Sequence, residues 1–227
     1  DEYKILHQKT IKEIIGGAGI DASKLDHMEI VSNVTRYARS FFVSGLPRSC
    51  TFPELFRSLY MFGDINTSIY IYPVSEASSQ NDLNKTIVEL ETERLMASDK
   101  GNINRESDVS QKRYETEILR DQIAAGFNKL YEATIVSTLF AYSMQDLERL
   151  TKLLSNEMSK SLVSIKSAWA MQEDAFKTCL PLMENTVQKK QIFDRPSMGT
   201  VFPFLTSEVG HPTGVPLGIN KQTGEPI

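Results

Sequence analysis

The sequence predicts an α+β domain: a ferredoxin-like (split βαβ) antiparallel sheet with helices on one face and an inserted helical hairpin. Three observations predict it. From Arg39 onward the apolar pattern runs strand, helix, strand, charged helical stretch, strand, helix, strand, which is two βαβ units in series. Residues 131–142 are apolar on both faces, Ile135 and Leu139 on one and Val136 and Phe140 on the other, so this strand belongs in mid-sheet. Residues 78–129 are dense in charge and poor in strand formers, with a helical period on either side of Asp99-Lys-Gly-Asn102. Two antiparallel helices joined by a short polar loop follow from that pattern.

Each element has a local reason. Residues 3–15 read as a short amphipathic helix, stopped by Gly16, Gly17 and Gly19. A phosphate loop follows a strand and opens a helix, whereas this glycine run closes a helix. Residues 28–34 alternate as a strand. Residues 39–46 form a better one, with Phe41 and Val43 on one face and Phe42 on the other. Thr51-Phe-Pro-Glu54 starts a helix: the Thr hydroxyl caps it, Glu54 reaches back, and Pro53 sits where its missing N–H costs nothing. Leu55, Phe56, Leu59 and Phe62 make its stripe, and Gly63 ends it. Residues 65–72 are a strand with Ile69 and Ile71 opposite Tyr70 and Tyr72. In the hairpin, Leu83, Ile87 and Leu90 mark the first arm, and Ile118, Ile123, Ala125 and Phe127 the second. Ser143 and Asp146 cap a helix striped by Leu147, Leu150, Leu154 and Met158. Residues 163–172 read as a strand with Ile165, Trp169 and Met171 on one face, and 187–193 as a short basic helix. The domain organisation expected is an N-terminal helix and loop (1–24), an α+β domain (25–180) with the hairpin inserted at about 78–130, and a proline-rich C-terminal arm (181–227).

Composition excludes several classes. The 227 residues are 41% hydrophobic and 24% charged, ordinary for a globular chain rather than a disordered one. The net charge is −4, without the basic surplus typical of a nucleic-acid binder. Cys50 and Cys179 cannot supply a disulfide framework or a four-cysteine zinc site. No apolar run reaches the roughly 18 residues of a membrane span. The sequence opens on Asp1 rather than Met and closes on Gly-Glu-Pro-Ile227, and is expected to be a piece of a longer protein.

Catalytic motifs are missing from the sequence. It holds no Gly-x-x-x-x-Gly-Lys-Ser/Thr, no Gly-x-Ser-x-Gly and no His-Glu-x-x-His. His7, His27 and His211 are scattered, and Cys50 has no histidine near it in sequence. The acidic pairs Glu91/Glu93 and Glu115/Glu117 lie on charge-dense helices and read as solvated surface. No residue is therefore assigned a catalytic, cofactor-binding or metal-ligating role.

Two family resemblances emerge from longer stretches. Arg39-Ser-Phe-Phe-Val-Ser-Gly-Leu-Pro47, then Thr51-Phe-Pro-Glu-Leu-Phe56 and Phe62-Gly-Asp-Ile65, resemble the first strand and helix of an RNA-recognition motif. The strand Glu132-Ala-Thr-Ile-Val-Ser-Thr-Leu-Phe-Ala141 departs from that family, lacking its Lys-Gly start and its paired aromatics. The second resemblance covers nearly the whole chain. Ile14-Ile-Gly-Gly-Ala-Gly-Ile-Asp21, the strand Thr35-Arg-Tyr-Ala-Arg-Ser-Phe-Phe-Val43 and the charged hairpin are similar to the N-terminal region of conjugative type IV secretion ATPases of the VirB/TrbE/CagE class. Phe202-Pro-Phe-Leu-Thr-Ser-Glu208, Gly214-Val-Pro-Leu-Gly-Ile-Asn220 and Thr223-Gly-Glu-Pro226 resemble the segment ahead of that family's motor domain. The Gram-positive conjugative-element branch is the most similar.

The resemblance implies an assembly and docking domain without catalysis of its own, joined to an ATPase motor whose P-loop lies beyond Ile227. ATP and Mg are implied for that parent, and no cofactor for these residues. The implied partners are a small inner-membrane component of the secretion system, the motor domain, and neighbouring subunits, a hexamer being among the assemblies it allows. Nucleic acid is not among the partners expected of this stretch. The implied location is cytoplasmic, peripheral at the cytoplasmic membrane of a bacterium. The alternative reading is a nucleic-acid-binding ferredoxin-like domain similar to the RNA-recognition motif.

Overall fold

Residues 19–31, 34–48, 55–201 and 218–219 are described in the computed structural model of the chain. The strands are β1 (Gly19–Asp21), β2 (Met28–Val31), β3 (Arg36–Gly45), β4 (Ile65–Pro73), β5 (Leu130–Ala141), β6 (Ser164–Ser167) and β7 (Gln191–Asp194). The helices are α1 (Arg57–Met61), α2 (Glu76–Asp99), α3 (Ile103–Ala124), α4 (Met144–Lys160), α5 (Gln172–Cys179) and α6 (Arg195–Gly199). The helix expected at 3–15, its Gly16–Gly17 stop, the Thr51–Glu54 cap, Cys50, His7, His211 and the arm residues Phe202 and Phe204 lie outside the described residues.

All pairings in the sheet are antiparallel. The strand read from sequence as central is central: β5 pairs β4 along one edge, and β3 and β7 on the other. The far edge of β3 is shared by β2, opposite Arg36–Ala38, and β6, opposite Phe41–Gly45. The main path is β1-β2-β3-β5-β4. Because β6 pairs β3 as well, the sheet also contains the order β6-β3-β5-β4.

Side-chain alternation along β5 divides the core. Ala133, Ile135, Leu139 and Ala141 join Phe41 and Val43 of β3 beneath α1 and α4. Phe56, Leu59, Leu147, Leu154 and Met158 fill that layer from the helices. The α4 stripe is the one its spacing predicts, and the Ser143 hydroxyl accepts from the Asp146 N–H at 3.1 Å, as a cap should. Full burial of such a side chain contributes about 1.5–3 kcal/mol, so this layer dominates stability.

The opposite face corrects the expectation of helices on one face only. Val136 packs with Ala168, Ala175 and Val187, and Phe140 meets Phe176 edge-on with centroids 6.4 Å apart. Ala175 and Phe176 belong to α5, which lies across this second face. The strand expected at 163–172 therefore ends at Ser167. Ala170 takes a left-handed φ of 60°, turning the chain, and Gln172 opens a helix instead. Trp169, expected on the strand's apolar face, is 64% exposed. A second correction concerns 187–193: the basic stretch is not a helix, and Gln191–Asp194 instead forms β7, paired with Leu130–Ala133. Because β1 precedes residue 25 in the chain and β7 follows residue 180, the sheet draws in residues on both sides of 25–180.

The hairpin is the two long helices expected of 78–129, breaking at Lys100-Gly101-Asn102. Ser75 caps α2, accepting from the Ser78 N–H, and Asn102 caps α3, accepting from the Arg105 N–H. Gly101 at φ 65° takes the left-handed turn between them. The two helices pack chiefly on each other rather than on the sheet. At 24 residues, α2 is about 36 Å long.

Candidate functional site

The chemistry-bearing residues singled out in the sequence are dispersed. His27 Nδ1 lies 2.8 Å from Asp26 Oδ1 and its Nε2 3.7 Å from Glu29 Oε1, at the sheet's β2 corner. Among the described residues no group of three or more His, Cys, Asp or Glu is placed to hold a metal ion. Cys179 ends α5 in a mostly apolar setting, and burial pushes its thiol up to about 11, leaving little thiolate at neutral pH.

Each acidic pair is engaged by arginine. Glu91 accepts from Arg94 and Arg113, Glu93 from Arg105, Glu115 from Arg48, and Glu117 from Arg113. The Arg94 hydrogen bond, foremost, holds the Glu91 carboxyl below its usual range. Two of these contacts cross between the helices, Arg113–Glu91 at 3.0 Å and Arg105–Glu93 at 2.8 Å, and Arg94–Glu106 at 3.5 Å is a third crossing pair. They flank a thin seam in which Ala97, Val109 and Ile123 are buried and Leu83, Ile87 and Leu90 half-buried. Pairs this exposed to solvent contribute little to stability. Their alternation fixes how the helices register more than it stabilises them. Ile118, Ala125 and Phe127, expected in the seam, are exposed instead, Phe127 at 77%.

Two anchors hold the hairpin to the body. At its base the buried Asn128 side chain donates to Gln122 and Asp194 and accepts from the N–H groups of Lys129 and Arg195. Farther out, Arg48, just past β3, reaches Glu115 at 3.1 Å and Asp108 at 3.5 Å on α3. Between the anchors lies a groove of ≈ 540 Å³, lined by Leu46, Arg48, Leu119, Ile192 and Pro196 among others. At the outer end, Leu95, Met96 and Ile103 are all exposed around the connecting loop. These features suit contact with another macromolecule: a two-helix rod tied to the body along α3, with exposed apolar residues around its connecting loop and a mixed groove beside it.

The sheet face that a base-stacking surface would use is occupied. Phe42 is half-buried against the cluster of Val136, Ala168, Ala175 and Val187, and the Tyr70 hydroxyl donates to the Thr178 carbonyl of α5 at 2.9 Å. Of the three aromatics such a surface needs, only Tyr72 is exposed.

No protein-family model matches the chain. No curated protein matches it either.

Two residues that sequence reasoning did not single out organise the body. Arg39, 6% exposed, donates to the Asp26 carbonyl and carboxylate, to Glu148 of α4 and to Thr151. Gln172 completes the β3 edge where β2 and β6 leave a gap. Its Oε1 accepts the Ser40 N–H at 2.8 Å, while the Ser40 carbonyl accepts from Ala168 N–H at 2.9 Å and Gln172 Nε2 at 3.4 Å. An arginine inside an alternating strand was a signal, since a buried guanidinium needs several acceptors. Gln172 gave none, because its partner is 132 residues away.

Proposed function

We propose that the chain is the N-terminal assembly and docking domain of a type IV secretion (conjugation) ATPase that powers DNA or protein transfer across the cell envelope. The observation that carries the reading is the helical hairpin, inserted between adjacent antiparallel strands and exposing Leu95, Met96 and Ile103 around its connecting loop. A rod of that length, held at its base by Asn128 and along α3 by Arg48, leaves the residues around its connecting loop open to a partner. The order β6-β3-β5-β4, with α1 and α4 on one face, supports a ferredoxin-like arrangement of the body. The sequence resemblance supplies the system. In this reading the partners are a small inner-membrane component, the motor domain and neighbouring subunits. The protein sits at the cytoplasmic side of the membrane; among the described residues no helix is long and apolar enough to cross it.

The nucleic-acid alternative asks α5 to leave its face, since Phe42 and Tyr70 are engaged beneath it. No observation on the described residues favours it over docking.

The test is the reading frame beyond Ile227 together with its product. A Gly-x-x-x-x-Gly-Lys-Ser/Thr downstream, and Mg-ATP hydrolysis by the longer protein, are expected. A frame that closes without a P-loop overturns the reading.

A further inference from the structure

The sheet has two unlike edges. One ends in short strands with charged residues: β1, three residues including Asp21, β6, four residues including Lys166, and β7, four residues including Asp194. Strands of that kind resist pairing with another chain. The other edge is β4, nine residues reading Ile-Asn-Thr-Ser-Ile-Tyr-Ile-Tyr-Pro without a charge. Its composition is that of a strand that pairs on both sides.

Backbone direction shows what this edge offers. At one end the Val74 N–H donates to the Leu130 carbonyl at 3.0 Å, and at the other the Phe140 N–H donates to the Asp64 carbonyl at 2.9 Å. The register pairs Ile65 with Leu139 through to Pro73 with Tyr131, so even-numbered residues of β4 bond to β5. The N–H groups of Ile65, Thr67, Ile69 and Ile71 therefore point outward, with the carbonyls of the same residues and of Pro73. No described residue bonds to them. Beside this edge Ser68 and Tyr70 donate to Cys179 and Thr178, and a few residues farther along the chain Leu182 and Met183 are exposed, Met183 at 90%.

We propose that β4 pairs antiparallel with β4 of a second copy of this chain, about a two-fold axis at Ile69. Ile69 then exchanges both bonds with its own copy. Thr67 does the same with Ile71, and the Ile65 N–H donates to the Pro73 carbonyl. Pro73, which has no N–H, ends the ladder. On one face β-branched residues oppose β-branched residues, Ile69 against Ile69 and Thr67 against Ile71. On the other, Ser68 meets Tyr70 and Asn66 meets Tyr72. A second copy fits better than a foreign strand for two reasons. An uncharged edge holds nothing that selects a partner of opposite sign, while its register matches itself. The short, charged β1, β6 and β7 edges also stop further addition, so association closes at two, the commonest symmetric assembly. This contact deepens the neighbouring-subunit part of the proposed function and rests on that reading only for its use in the cell.

The test is light-scattering mass across a concentration series, with residue-resolved amide exchange. The intact chain is expected to approach twice 25.6 kDa as concentration rises. The amides of Ile65, Thr67, Ile69 and Ile71 should become protected with it, whereas those of Asn66, Ser68, Tyr70 and Tyr72 stay protected throughout. Ile71→Pro removes an outward N–H that β5 does not use, and Ile71→Lys adds one charge per copy to the edge. Each is expected to weaken dimerisation about tenfold or more. Circular dichroism checks that each variant folds, and the exchange pattern of the unmodified chain decides if neither does. A monomer whose outward amides exchange fast at every concentration overturns the proposal. So does a dimer unchanged by both folded variants, or open-ended assembly beyond two. None of these results bears on a downstream P-loop, so the two readings fail separately.

Discussion

Replacing Arg39 by Met tests whether the body is latched as described. The guanidinium is almost wholly buried and holds the Asp26 carbonyl at 3.0 Å, Asp26 Oδ2 at 2.9 Å, Glu148 Oε1 at 2.8 Å and Thr151 Oγ1 at 3.3 Å. Methionine keeps much of the volume and removes every donor. Breaking a fully buried ion pair costs about 3–5 kcal/mol. Here both carboxylate side chains are 46% exposed and regain water, which lowers the expected loss to about 2–3 kcal/mol. In a protein of this size that lowers Tm by roughly 4–12 °C. The loss should also depend on pH. The Arg39 hydrogen bond and charge hold the Glu148 carboxyl below its usual range. At Asp26 burial raises the pKa, but the His27 hydrogen bond, with the charges of His27 and Arg39, outweighs it, and the net shift is downward. A carboxyl depressed in the folded state contributes stability above its unfolded pKa, about 4, and loses it as pH falls through the folded value. The gap between parent and Arg39→Met, read by urea unfolding, should therefore be full near neutral pH and shrink below about pH 4. A gap under about 1 kcal/mol, or one that does not change on acidification, refutes the latch.

Three further outcomes are expected. Gln172→Leu leaves the Ser40 N–H without its acceptor in the core and should cost about 1–3 kcal/mol in denaturant unfolding, with amide exchange at Ser40 rising more than at Phe41. Replacing residues 75–129 by a short Gly-Ser bridge should leave a cooperatively unfolding core, because β4 and β5 are adjacent antiparallel strands and their ladder already closes at Val74–Leu130; loss of a cooperative transition would show the hairpin to be part of the core. In a Cys50→Ser background, native Cys179 at mildly alkaline pH should alkylate on the order of 100-fold slower than in urea, since its thiol sits near 11.

What the sequence makes legible follows the range of the interactions. Ser143 with Leu147, Leu154 and Met158, the loop at 99–102, and the two faces of β5 are written within a few residues of one another, and each is where its pattern places it. What stayed hidden depends on contacts distant in sequence or on unusual backbone. The left-handed Ala170 cuts a strand whose alternation continues on paper, because nothing in an alanine announces a positive φ. The short α5 buries Gln172, Ala175 and Thr178, too small and polar a stripe to register as amphipathic. β7 is basic just before its start and only four residues long, and it is a strand because β5 has a free edge opposite Leu130–Ala133. In the hairpin the charges looked like a solvated surface, yet several cross the seam, and one-dimensional spacing does not distinguish these arrangements.

The proposed function holds that these residues dock and leave ATP hydrolysis to a motor domain of the longer protein. Its most direct measurement is DNA transfer by donor cells whose full-length protein lacks residues 75–129, read beside Mg-ATP turnover of the same purified protein. Docking through the hairpin predicts that transfer collapses while turnover persists. Transfer at the parental frequency from the shortened protein would contradict the account.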